Sequence, residues 1–536
     1  MVVADRILAD APAEQYRLPV ALGRKVDEPL VEVLDNRADA LDLDDAFAHP
    51  LRLALDLLGD IGHVARREVT AVRRDSHHER ALTLLQVAER AAVGDHLLGE
   101  RADELERGVR FVPAELARHE AMIGVVVASG QRVAERREPR TVLTAGELSA
   151  AEIFAWTRSA VWIAAAFAFL WFEPNRNPRA DTWDASRLHE LGWPIDIWAR
   201  WDSVYYLEIA HHGYDTHQST AFFPLYPVCV GALGRVFFGH YVLAGVVVSL
   251  AACLGTFVLL YRLAAPRFGE GAARRAVLYL ALFPMSIFLQ AVYPESLFML
   301  LALVAFLCAE RGRFGLAGLA AGGACLTRSM GFALLPALAL LAWRAPDRRR
   351  SFVGVALAPL LFLVFPLWLW LQRGDPFEFV GVQQVWSRYV SRAGPLGGLW
   401  DGLYAGVRGA WHVLHAPHPH LYHPLANGTN PFHNDIEDVE HLAYLVVFLV
   451  LAVLVWRWLG SAYGLFVAVG LAIPLSTPSH EWPLLSLPRF GLVLFPFFVA
   501  LALVGRNARA HSAIVAASAL FLGVSAVQWA LWQWVA

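Results

Sequence analysis

Arg200-Trp201-Asp202 sets an acid beside a guanidinium, with Tyr205 and Tyr206 one turn further on and Tyr226 beyond them. Apolar segments flank this stretch, which places its polar groups at the rim of a membrane. A carboxylate there is tolerated mainly where it faces a wet cavity or a partner, so Asp202 is the leading candidate for chemistry. The cluster is dense, with Arg200 beside the acid and aromatic faces at Trp201, Tyr205 and Tyr206 of the type that stack on sugar rings. The structural alternative is that Asp202 caps the helix beginning beside it, Gly213 stops that helix, and the rings only anchor at the interface.

Arg328 and Arg489 sit within or beside apolar runs far along the chain. An arginine so placed either snorkels or holds an anion. Its planar fork suits a phosphate, donating two hydrogen bonds while staying charged. Tyr293-Pro294-Glu295 makes a polar turn between apolar segments. Glu295 is a second acid, a hydrogen-bonder to a hydroxylated substrate, or a charge that complements the following helix dipole.

The elements that must position these groups are membrane helices. Of 536 residues 57% are hydrophobic and 17% charged, with a mean hydropathy of +0.44. That is too apolar for a soluble chain of this length and predicts an all-α polytopic membrane protein. Measured against the roughly 20 residues a helix needs to cross, about eleven spans emerge. They fall near residues 153–172, 241–261, 276–292, 296–309, 314–326, 330–343, 352–371, 442–455, 463–475, 490–504 and 512–535. The two flanking Thr327-Arg328-Ser329 read as half-helices meeting at an interior polar break. Phe222 to His240 is apolar enough to cross, but Pro224 and Pro227 favour a re-entrant or interfacial segment.

Arginine bias orients the bundle, because short cytoplasmic loops collect Lys and Arg. Counting crossings from those loops puts Asp202, the Tyr293-Pro294-Glu295 turn, Arg328, Arg489 and the outer loops 173–221 and 372–441 on the extracytoplasmic side. Residues 1–150 differ in kind, being rich in Arg, Asp, Glu and His without a bilayer-length span. They read as a cytoplasmic extension, or as sequence upstream of the true start, ahead of a membrane domain over 151–536. No cleavable signal peptide is evident, so the first span does the targeting.

The formal net charge of -3 and the scattered arginines exclude a nucleic-acid binder. Four single cysteines, Cys229, Cys253, Cys308 and Cys325, read as buried thiols. His412, His415, His418, His420, His423 and His433 with Asp435, Glu437 and Asp438 supply ligand-type residues, but no HExxH spacing occurs and prolines interrupt the stretch. A solvated loop is the preferred reading. No cofactor is indicated, and the sequence does not require a divalent metal. Asn427-Gly428-Thr429 fits a glycosylation sequon.

The ordered set Arg200-Trp201-Asp202, Tyr206-Leu207-Glu208-Ile209-Ala210, Gly213-Tyr214, Phe222-Phe223-Pro224-Leu225-Tyr226-Pro227, Phe283-Pro284, Tyr293-Pro294-Glu295-Ser296, Leu326-Thr327-Arg328 and Pro488-Arg489-Phe490 resembles the PIG-V-like mannosyltransferases. The resemblance covers roughly residue 153 to the C-terminus and leaves the first 150 residues untouched. It implies a GT-C-like bundle whose first extracytoplasmic loop carries the catalytic acid, matched here by Asp202. It also implies inverting transfer of mannose or a related hexose from a polyprenyl-phosphate sugar to a lipid-linked or glycan acceptor, at the cell membrane and among its lipids. Arg328 and Arg489 would then hold the departing phosphate, with Arg200, Trp201, Tyr205, Tyr206, Tyr226, Tyr293 and Glu295 as further substrate contacts. The rival class is a polytopic transporter or lipid flippase, for which intramembrane arginines and broken helices are equally expected. Such folds often carry internal repeats, and none is visible between the halves of this chain.

Overall fold

A computed structural model describes residues 144–174, 183–415 and 431–535, all within one compact unit, Glu138–Ala536. The expectations for the first 143 residues, and those for His418, His420, His423 and the sequon at Asn427, lie outside the described residues.

The longer helices, in chain order, are α1 (Ala145–Trp171), α2 (Ser203–His212), α3 (Leu225–Val236), α4 (Tyr241–Phe268), α5 (Glu270–Leu282), α6 (Glu295–Glu310), α7 (Phe314–Cys325) and α8 (Leu334–Arg344). They continue as α9 (Arg348–Phe362), α10 (Val364–Arg373), α11 (Pro395–His415), α12 (Pro431–Trp458), α13 (Ser461–Ser476), α14 (Leu487–Leu492), α15 (Pro496–Val504) and α16 (Ala508–Ala530). Among the described residues there is no β-strand, only an isolated bridge between Arg388 and Ser479. Each apolar run read from the sequence contains helix, but the runs 276–292 and 490–504 are broken, the first after Leu282 and the second between Leu492 and Pro496. Among the described residues five helical stretches are long and apolar enough to cross a membrane on their own: Ala145–Trp171, Tyr241–Phe268, Arg348–Arg373, Asp435–Trp458 and Ala508–Ala530. The described residues are those of an all-α membrane protein.

Local chemistry sets the element ends. α1 begins at Ala145, earlier than its apolar run, because Thr144 and Glu147 cap each other reciprocally: Glu147 N–H donates to Thr144 Oγ1 at 3.3 Å and Thr144 N–H to the Glu147 carboxylate at 2.8 Å. The boundary drawn at 150 therefore cuts through the first turns of a helix. α3, inside the Phe222 to His240 stretch, has 12 residues. At 1.5 Å per residue it reaches about 18 Å, well short of the roughly 30 Å hydrocarbon layer.

Two breaks inside the bundle are satisfied by protein. α5 stops at Leu282, where Pro284 cannot continue it. Arg158, buried on α1, fills the gap by donating to Ala281 O at 2.7 Å and Ser286 O at 2.6 Å. The break expected at Thr327-Arg328-Ser329 is present: α7 ends at Cys325, Arg328 is extended, and a 3₁₀ turn leads into α8. The freed carbonyl of Leu326 accepts from Leu225 N–H at 2.9 Å, so the start of α3 seals this opening.

α7 packs on α6 and α9. The contact with α9 rests on glycine: a Cβ at Gly318 would lie 2.0 Å from Gly354 O. Gly318→Ala must push the two backbones apart, at a cost of about 1–3 kcal/mol. Thermal unfolding of the purified protein should report this as a lowered Tm, and an unchanged Tm would mean the helices do not meet there.

Residues 372–441, expected as an outer loop, carry the 21-residue α11. Gly398, Gly402, Gly406 and Gly409 form one face and let it lie against α12 and α13, where a Cβ at Gly398 would come 2.2 Å from Leu475 O. The opposite face exposes Leu396, Trp400, Leu403, Tyr404, Val407 and Trp411. Interleaved glycines and charges broke up the apolar run and hid this helix from a hydropathy reading.

Candidate active site

The turn before α2 is stitched to the turn before α6. Val292 N–H donates to Trp198 O at 3.0 Å, and Ser203 Oγ donates to Val292 O at 3.2 Å while accepting from Arg200 N–H at 3.1 Å. Tyr293 Oη donates to Arg200 O at 3.2 Å and accepts from Asp202 N–H at 3.0 Å. Trp201, between them, holds a left-handed backbone with φ of 51°. Such a conformation costs a non-glycine residue roughly 1–3 kcal/mol, and the stitched hydrogen bonds hold it in place.

This geometry turns the Asp202 side chain away from the helix it precedes. Its carboxylate makes no capping bond to α2. Instead its Oδ2 accepts from Arg489 Nη1 at 3.0 Å, across 287 residues of chain. Among the described residues no donor bonds Oδ1. Arg489 also reaches Glu295, with Nε 3.2 Å from Oε1. Arg328 Nη1 donates to that same Oε1, and Glu295 is fully buried. One acid thus braces both arginines while the other pairs with Arg489 alone. The rings of Phe288 and Tyr293 lie against the Arg489 guanidinium, each with its centroid 5.4 Å away.

Asp202, Arg328 and Arg489 face one cleft of about 270 Å³. Tyr206, Phe222, Ser486 and Phe490 line it too, together with Gln383, Trp386 and Arg388 from the 372–441 stretch. The break at Thr327 to Ser329 forms part of its lining.

Of the residues singled out in sequence, Asp202, Tyr206, Arg328 and Arg489 line this cleft, and Glu295 lies directly behind the two arginines. Tyr293 is buried and acts on the backbone of Asp202 rather than on the cavity. The others point elsewhere. Arg200 is 3% exposed, its Nη1 3.4 Å from the carbonyls of Asp196 and Ala199, its guanidinium stacked 4.2 Å over Trp532. Burial pushes that guanidinium down to about 10, against the pull of Asp184 and Asp196. Tyr205 stacks on Phe222 at 4.6 Å, and burial, then Asp202 and Glu208, push its phenol up to about 12. Tyr226 sits in the core, its hydroxyl 2.9 Å from Ser249 Oγ. Trp201 packs edge-on against Trp532 and Trp534. Trp529 locks the same region by donating its indole N–H to Ile197 O at 2.8 Å.

Sequence reasoning missed Gln383, Trp386 and Arg388. The only signal was an amide, an indole and a guanidinium within six residues of a long polar connection. In the histidine-rich stretch His412 pairs with Asp435 at 3.1 Å, and among the described residues no three His, Cys, Asp or Glu side chains converge. All four cysteines are unpaired.

The site is thus an ion-paired carboxylate at the wall of an aromatic cleft in a helical membrane bundle. Residues 194–340 match the family described as Mannosyltransferase (PIG-V), which shows the resemblance over that stretch. The matched residues contain Asp202, Tyr206, Glu295 and Arg328 and stop before Arg388 and Arg489. No curated protein matches the chain. Among solved structures, the Archaeoglobus fulgidus oligosaccharyltransferase in its apo form is similar at 15% identity and a TM-score of 0.35. The similarity covers 70% of this chain and 56% of that one, and so weak a likeness carries no argument. The family match supports a membrane glycosyltransferase.

Proposed function

We propose that the chain transfers mannose, or a related hexose, from a polyprenyl-phosphate sugar to a hydroxyl of a lipid-linked or glycan acceptor, in a GT-C-type bundle whose cleft opens to the extracytoplasmic side of the cell membrane. One observation carries this reading: the Asp202 carboxylate, free of any capping role, is aimed by Arg489 at the wall of a cleft that also holds aromatic faces and further arginines.

In the reaction the acceptor oxygen attacks the anomeric carbon as the bond from that carbon to the phosphate oxygen breaks, with inversion. The acceptor proton passes to Asp202, and the bonding pair leaves with the lipid phosphate. A positioned general base of this kind supplies roughly 10²- to 10⁴-fold. Cationic groups facing the departing phosphate stabilise charge where it develops. The Tyr206 and Phe222 rings offer faces for the sugar.

Membranes containing the chain should incorporate label from polyprenyl-phosphate mannose into lipid or glycan, and should gain none from a nucleotide-diphosphate mannose once endogenous lipid carrier is removed. Direct use of the nucleotide sugar would overturn the donor assignment, and incorporation from neither would overturn transfer itself.

A further inference from the structure

The charges around the cleft do not cancel. Glu295 and Asp202 together answer Arg328 and Arg489, through the contacts already described. Arg388 is left over. It reaches the cleft from the connection after α10, and among the described residues no carboxylate lies within ion-pair distance of it. Its guanidinium is held by backbone alone, Nη1 donating to Thr477 O at 3.0 Å and Nη2 to Leu485 O at 2.9 Å. The surrounding chain is fixed too: Tyr389 N–H donates to Pro478 O at 3.0 Å and His480 N–H to Ser387 O at 2.9 Å. Two of its five N–H donors are thus spent on aiming the group. Phe490, next to Arg489, lies beneath it with its centroid 5.8 Å away.

From this surplus we infer that Arg388 is the residue that holds the phosphate of the lipid donor. The inference rests on the transferase reading and deepens it: Arg328 and Arg489 are engaged in bracing the acids, whereas Arg388 is the uncompensated cation. The donor is a phosphodiester with one negative charge, which the single surplus positive charge balances. Cleavage turns it into a monoester whose charge approaches two. A fixed guanidinium at that position gains most as the bond breaks. Burial and the neighbouring Arg489 push the Arg388 guanidinium down to about 10, with Asp202 pulling it up, so it remains charged at neutral pH.

The test uses the purified full chain and three probes: polyprenyl phosphate, polyprenol of the same length, and inorganic phosphate. Wild-type protein should bind polyprenyl phosphate well above polyprenol. Arg388→Gln should weaken the phosphate ligand about ten- to hundredfold, the size of a lost charge-assisted hydrogen bond, and leave polyprenol unchanged. Equal binding of polyprenyl phosphate by a folded Arg388→Gln protein overturns the inference while leaving the transferase reading standing. Absence of polyprenyl-phosphate binding by the wild type sinks that reading and this one together. Should the variant fail to fold, dicarbonyl footprinting of wild-type arginines decides: polyprenyl phosphate should shield Arg388 and polyprenol should not. An adduct yield at Arg388 unaffected by bound polyprenyl phosphate overturns the assignment. Shielding by inorganic phosphate at equal concentration overturns its specificity for a lipid.

Discussion

Asp202→Asn should lower transfer by about 10²- to 10⁴-fold in a membrane assay with labelled polyprenyl-phosphate mannose, the range a well-placed general base supplies. The amide keeps the shape of the side chain and a hydrogen-bonding oxygen for Arg489, but it cannot take up the acceptor proton. Because the carboxylate makes no capping bond to α2, its loss leaves the helix start intact. The backbone ties through Tyr293 and Ser203 also remain. Insertion and protein level should therefore match wild type, and donor binding should persist. Turnover within a few-fold of wild type in that variant would remove Asp202 from the chemistry.

Glu295→Gln should act on the fold before it acts on the reaction. The acid is fully buried, its Oε1 lies within reach of both Arg328 and Arg489, and its other oxygen has no partner. Neutralising it leaves Arg328 without its carboxylate and Arg489 with Asp202 alone. Removing one partner of a buried pair costs roughly 3–5 kcal/mol, because the surviving charge stays desolvated. The purified variant should lose several degrees of Tm and accumulate poorly in membranes. A double variant, Glu295→Gln with Arg328→Met, should recover part of that loss, since it removes the stranded charge as well. A wild-type Tm in the single variant would show that Glu295 carries no structural load.

Charge against an apolar background is what made the centre readable from sequence. Asp202, Glu295, Arg328 and Arg489 each interrupt a hydrocarbon run, and each proves to belong to one contiguous set. Adjacency in sequence misled where it stood in for direction. Arg200 and Trp201 neighbour Asp202, yet the left-handed turn at Trp201 sends their side chains toward Trp532 and Trp534. Tyr226 and Tyr293 stand among the expected substrate contacts, but their hydroxyls bond within the protein. Arg388 carried no contrast at all, because an arginine in a polar connection is unremarked until folding places it. α11 was hidden for the opposite reason: its glycine face lowers hydropathy while making close packing feasible.

The tryptophans at 529, 532 and 534 touch Ile197, Arg200 and Trp201, the first of these contacts joining residues 332 positions apart. Closing so long a loop comes late, since its entropy must be met before the contact gives anything back. During synthesis the acid-bearing turn is tied to Val292 and Tyr293 before residues 529–534 are made, and the tryptophans then add a second, long-range fastening to the same turn.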